Sequence, residues 1–275
     1  MKLANVRGRA CLVIGEEIAD VATVSDGAFG PDPMAPYTDW AAFSAFAAGV
    51  DTTTGPLKTD DLLAPVPRPG QVFAIGLNYR SHAEEADMTL PEVPATFTKF
   101  PACITGPDAE VEVVGQSTDW EVELVAVIGT TADRVAEADG WDHVAGLTIG
   151  QDISDRKLQF AAGAQFSLGK SRRGYGPTGP WLVTPDELAD PDDLSLGCSV
   201  SGEVMQDART GDLIFSVPRL VAELSAVLTL RPGDLIFTGT PSGVGAARKP
   251  PRFLSAGDEI DTWIEGIGRI HTHCV

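Results

Sequence analysis

The chain has 275 residues, enough to bury one sizeable core with a small appendage. Its formal charge of −19 argues against nucleic acid as a partner and makes any local basic cluster informative. Glycine (29) and proline (20) are plentiful, which suits short strands joined by turns better than a helical bundle.

In chain order, residues 9–14 and 18–24 read as two strands around Gly15. Residues 38–48 read as a helix with Thr38 as N-cap, Gly49 as stop, and Trp40, Phe43, Phe46 and Ala47 on one face. The proline-rich stretch 56–70 marks a boundary, predicting a small N-terminal α/β module over 1–68 and a main domain over 69–275. Short apolar runs of strand character then follow at 72–76, 96–100, 111–114, 120–128, 143–150, 196–200, 235–238 and 259–264. One helix interrupts them, with Ser216 as cap, Pro218 in the first turn, and Leu220, Val221, Leu224, Val227 and Leu228 as its apolar face. The fold class expected is β-rich α+β.

The first seven residues contain no apolar signal segment, and no stretch reaches bilayer-spanning length, so a soluble cytoplasmic protein without membrane partners is expected. Cys11, Cys103, Cys198 and Cys274 are widely spaced, which predicts buried free thiols rather than a zinc cluster.

The run from Trp120 to Gly129 carries the most chemistry. Residues two apart on a strand share a face, so Glu121 and Glu123 project together. If the strand is covered on both sides, two such carboxylates repel, and one must take a proton or share a cation. The alternative is a strand end with two solvated acids. Asp152 ends the next apolar strand, as a third oxygen donor or as a helix N-cap. Three oxygen ligands without nearby Cys or His suit Mg²⁺, Mn²⁺ or Ca²⁺.

His82 and Glu85 are neighbours on one helical turn, where a carboxylate orients an imidazole and raises its basicity; a surface pair of little consequence fits the spacing too. Residues 86–94 read as a loop able to close over a site. Lys170, Arg172 and Arg173 concentrate positive charge on an acidic chain, as an anion-binding edge or as a solvated loop or subunit contact. The turn Thr238-Gly239-Thr240 opens a glycine-rich stretch whose amides and hydroxyls suit a carboxylate or enolate oxygen, and it lacks the Lys-Ser/Thr ending of a phosphate loop.

Taken in order, these motifs resemble the fumarylacetoacetate hydrolase family, closest to its short bacterial members. Those include acylpyruvate hydrolases, oxaloacetate decarboxylases and homoprotocatechuate-pathway isomerase/decarboxylases of aromatic catabolism. The matching stretches lie at 76–85, 97–99, 119–129, 152–156, 169–171, 179–180, 202–203, 206 and 238–245. The resemblance implies a mixed β-sandwich roll, a homodimer, and Mg²⁺ or Mn²⁺ held by Glu121, Glu123 and Asp152. It further implies a His82–Glu85 dyad that activates water from a closing lid, Lys170 near the substrate, and Gln159, Gly239 and Thr240 in the pocket. Lys99 is given only a supporting role. The implied reaction is cleavage of a C–C bond in a small 2-oxo acid or 1,3-diketone through a metal-stabilised enolate. Decarboxylation or isomerisation of an oxaloacetate-type β-oxo acid is the alternative on the same site, and an inactive metal-binding relative is a further one. Asp155, Lys157, Arg172 and Arg173 depart from the family pattern. Because the rest of the chain is so acidic, at least one of Arg172 and Arg173 is expected to read a second anionic group on the substrate.

Overall fold

The computed structural model describes every residue except Ala86, which belongs to the loop expected at 86–94 and so leaves that part of the expectation outside the described residues. A twelve-stranded mixed sheet forms the main layer. Its order places Lys2–Val6, Gly176–Val183, Val144–Gln151, Val122–Ile128, Leu235–Phe237, Val72–Gly76 and Ala95–Thr98 side by side. A five-stranded sheet runs Glu203–Arg209, Ser195–Val200, Glu259–Ile264, Gly268–Cys274 and Asp108–Val111. The β-rich roll expected from the motifs is therefore present.

Val122–Ile128 is buried at every position: the apolar run 124–128 requires cover on both faces, and Glu123 is carried into the interior with it. Val122, Leu124, Ala126 and Ile128 pack into the core shared with the five-stranded sheet, against residues such as Leu196, Cys198, Ile260 and Ile270. Val125 and Val127 face the opposite core, with Leu3, Leu12, Phe43, Ala74 and Phe237. The two-residue repeat of a strand thus divides one apolar segment between two cores.

The first residues do not stand apart from this framework. Lys2–Val6, a strand the sequence reading overlooked, pairs antiparallel with Gly176–Val183 through Leu3 and Leu182, so the main sheet continues into residues 1–68. The second predicted strand is shorter, Glu17–Asp20, and the chain turns helical at Val21–Val24, where Asp20 caps the Thr23 amide. The helix Trp40–Ala47 exposes the expected face to the second core, but its N-cap is Asp39 rather than Thr38. Asp39 accepts the Ala42 amide at 3.0 Å, while Thr38 closes a preceding 3₁₀ turn.

The helix Val217–Ser225 is capped by Ser216 and buries Leu220, Val221 and Leu224. It ends earlier than expected: Val227 and Leu228 lie beyond it and are 83% and 36% exposed. Gly176–Val183, Glu203–Arg209 and Gly268–Cys274 are further strands missed from sequence, because glycine, proline or charged residues interrupt their apolar pattern. All four cysteines are buried and free. Among the described residues no helix is long and apolar enough to cross a membrane.

Candidate metal centre and active site

The hairpin of Val122–Ile128 and Val144–Gln151 builds the site. Its register pairs Val122 with Gln151 and Glu123 with Gly150, so the next positions outward are Glu121 and Asp152. The Asp152 amide donates to the Glu121 carbonyl at 2.9 Å. Gly150 has a packing reason: a Cβ there would lie 2.6 Å from both Phe237 and Val125. Glu121, Glu123 and Asp152 are all buried, and one carboxylate oxygen from each lies within 4.8 Å of the others. The pair of solvated acids at a strand end, left open by the sequence, is not what forms.

Three cations crowd around them, Lys99 and Lys170 buried and Arg156 partly so. Lys170 Nζ lies 2.7 Å from Glu121 Oε2 and 2.7 Å from Asp152 Oδ2. Lys99 Nζ, with a fully buried side chain, lies 2.6 Å from Asp152 Oδ1 and also donates to the carbonyls of Lys170 and Tyr175. Arg156 reaches Glu121 Oε1 at 2.6 Å and Asp119 Oδ2 at 2.7 Å. Burial opposes ionisation of Glu121, but Lys170 and Arg156 outweigh it and hold its pKa down at about 2.

Glu123 differs. Among the described residues its carboxylate accepts one hydrogen bond, from the Gly239 amide at 2.8 Å, and has no cationic partner. Burial first, then the charges of Asp152 and Glu121, push its carboxyl well above the ordinary range. A buried carboxylate trio with one member short of positive charge, and with only oxygen donors, fits a hard divalent cation.

On one side of this cluster stands the helix Arg80–Glu85. His82 Nδ1 meets Glu85 Oε2 at 3.2 Å. Because a carboxylate only accepts, Nδ1 carries the hydrogen, and in the neutral ring Nε2 is the lone pair. The Gly243 amide donates to Glu85 at 3.1 Å, tying this helix to the glycine-rich turn. That turn is pinned from below: Asn78, fully buried, donates to the Thr238 carbonyl at 2.7 Å, and Thr238 Oγ1 donates to Leu124 O at 2.9 Å. Gly239 has φ near +101°, and a Cβ would sit 2.8 Å from that of Asn78, so glycine is required.

Gln206, noted in sequence only as a matching position, ties the parts together. Its Oε1 accepts the Val122 amide at 2.9 Å, and its Nε2 donates to Thr240 Oγ1 at 2.8 Å. Gln159 is buried and accepts Arg156 Nη1 at 3.1 Å, which brings it to the same cluster through Arg156. Lys99 and Arg156 were underweighted from sequence. The only available signal was basic residues inside otherwise apolar or acidic motifs.

Arg172 and Arg173, of which at least one was expected to read a second anionic group on the substrate, have other surroundings than the carboxylate trio. Arg172 Nη2 pairs with Asp155 Oδ2 at 2.8 Å, and Asp155 also accepts the Leu158 amide as the cap of the helix Arg156–Gln159. Arg173 is exposed. The two departures at 155 and 172 are thus partners of each other. What flanks Lys170 is aromatic: its ammonium lies 5.4 Å from the Phe97 ring centroid, Phe97 meets Phe166 at 5.7 Å, and Phe166 meets the exposed Phe160 at 5.4 Å.

The fumarylacetoacetate (FAA) hydrolase C-terminal family matches residues 71–275. The human mitochondrial oxaloacetate tautomerase FAHD2A is 45% identical over 211 residues, which is 76% of this chain and 67% of that protein. The crystal structure of an HpcE-type protein from Mycobacterium smegmatis is 48% identical, with TM-score 0.95 over 100% of this chain and 99% of that one. Maleylpyruvate hydrolase from Sphingobium sp. SYK-6, in complex with manganese(II) and pyruvate, is 30% identical with TM-score 0.82 over 100% and 99%. With a family match across most of its length and the same fold in enzymes of that kind, this chain belongs to the fumarylacetoacetate hydrolase family.

Proposed function

We propose that this protein is a Mg²⁺- or Mn²⁺-dependent enzyme that hydrolyses a C–C bond in a small acylpyruvate-type 2-oxo acid or 1,3-diketone. The observation that carries the reading is the convergence of Glu121, Glu123 and Asp152 beside a helix bearing the His82–Glu85 pair. The three carboxylates would hold the cation. A cation so held would supply Lewis-acid polarisation of substrate oxygen. His82, with Nδ1–H held by Glu85, presents Nε2 to take a proton from water. The Lys170 ammonium, already among the carboxylates, offsets negative charge that develops on the substrate. The turn at Thr240, fixed by Gln206, presents its hydroxyl in a set orientation. The aromatic path from Phe97 to Phe160 suits an apolar distal group better than a second carboxylate.

The test is turnover of acylpyruvates of graded chain length with Mg²⁺, with Mn²⁺ and with excess EDTA. Release of pyruvate that EDTA abolishes supports the reading, and full activity in EDTA overturns it. A second reading is favoured by the 45% identity to an oxaloacetate tautomerase: proton transfer on oxaloacetate by the same groups, with no C–C cleavage. Loss of the enol absorbance of oxaloacetate without any pyruvate from acylpyruvates would select it.

A further inference from the structure

A second group of potential ligands lies away from the carboxylate trio, on the outer face of the five-stranded sheet. His271 and His273 are two apart on the strand Gly268–Cys274 and share a face. Cross-strand pairing sets Glu259 opposite His273 and Asp261 opposite His271 on one side. On the other side, Asp108 and Glu110 stand opposite the same two histidines. Four carboxylates thus surround two imidazoles. Arg269, on the same face, stacks on Trp263 at 5.4 Å.

The hydrogen bonds sort the ring nitrogens. His271 Nδ1 lies 2.8 Å from Asp261 Oδ1, and His273 Nε2 lies 3.1 Å from Asp108 Oδ1. Carboxylates only accept, so those nitrogens carry hydrogen, and in the neutral rings the other nitrogen of each is a lone pair. Both lone pairs face Glu259: His271 Nε2 lies 3.9 Å from Oε2, and His273 Nδ1 lies 3.8 Å from Oε1. These separations are too long for hydrogen bonds. They are instead near the spacing of two ligands on one ion, because bonds of about 2.0–2.2 Å put tetrahedral neighbours roughly 3.3 Å apart, a closure of about half an ångström.

We propose that His271, His273 and Glu259 form a second metal site, for Zn²⁺ or a similar imidazole-preferring divalent cation. One ligand atom from each lies within 4.8 Å of the others. Asp261 and Asp108 orient the two imidazoles through their far nitrogens, the arrangement that fixes tautomer and strengthens histidine as a ligand. The two histidines, Asp108 and Asp261 also border a cleft of about 860 Å³, which leaves this face of the sheet reachable from solvent. Two nitrogens and one oxygen select a different metal from the all-oxygen trio, so the sites are chemically distinct.

The test is calorimetric titration of Zn²⁺ into the full-length protein in saturating Mg²⁺, beside the double variant His271→Ala, His273→Ala and the single variants Glu259→Gln and Asp261→Asn. The double variant is expected to bind one equivalent fewer than the parent, with its Mg²⁺-supported activity unchanged. Asp261→Asn should keep the stoichiometry but weaken that equivalent about 10–100-fold. Equal stoichiometry and affinity in the parent and Glu259→Gln would overturn the proposal even if the double variant failed to fold.

Discussion

Glu85 holds the Gly243 amide at 3.1 Å and His82 Nδ1 at 3.2 Å with one carboxylate. A single side chain therefore sets the imidazole tautomer and fastens the helix that carries it to the glycine-rich turn. His82→Ala is expected to lower kcat by about 10²–10⁴-fold, the usual worth of a general base, with Mg²⁺ affinity unchanged. Glu85→Gln keeps an acceptor for Gly243 and should lose less than Glu85→Ala. Steady-state kinetics with metal titration check both; parental turnover in His82→Ala would remove the dyad from the reaction.

Glu123 yields a prediction about protons. Its carboxyl, raised by burial and by Asp152 and Glu121, keeps a proton in the folded protein over a range where the unfolded chain has released it. Stability of the metal-free protein should therefore decline as pH rises from the ordinary glutamate range towards that raised value. Binding a cation to the trio requires the carboxylate, so it should release a proton and tighten with pH over the same interval. Calorimetry in buffers of different ionisation enthalpy measures the release; none at all would show Glu123 already ionised.

Lys99 is predicted to matter for stability. Its buried ammonium serves Asp152 and two backbone carbonyls, so Lys99→Met breaks a buried ion pair, leaves Lys170 as the remaining cation on Asp152, and takes the donor from both carbonyls. A loss of about 3–5 kcal/mol is expected, read from urea unfolding of the metal-free protein.

Gly239→Ala should disturb the turn rather than the hairpin. With φ near +101° and Asn78 Cβ at 2.8 Å, the added methyl costs about 1–3 kcal/mol in strain and displaces Thr240. Raised KM is the expected signature, read by steady-state kinetics, with weaker metal binding wherever the Gly239 amide leaves Glu123.

Arg172 is engaged by Asp155, so replacing Arg172 and Arg173 with Ser should change KM for mono- and dicarboxylic oxo-acids alike. A rise confined to the dicarboxylic set would restore the anion-reading role expected from sequence.

Much of the site was legible because its carriers are local. Glu121 and Glu123 reveal their shared direction by strand alternation, and His82 and Glu85 by one helical turn. Lys99, Arg156 and Gln206 were not legible as partners, since each meets the site across 53, 35 and 84 positions of sequence. Spacing says nothing about such contacts.

The amino-acid order alone determined which segments are apolar, which acids share a face, and which turns demand glycine. Those follow from periodicity and backbone sterics within a few residues. Tertiary structure decided which charges are compensated: Lys170 and Lys99 neutralise Asp152, Arg156 and Lys170 neutralise Glu121, Asp155 engages Arg172, and Glu123 is left with only an amide. Charge interactions strengthen as water is excluded, and only the packed fold determines which groups are excluded together.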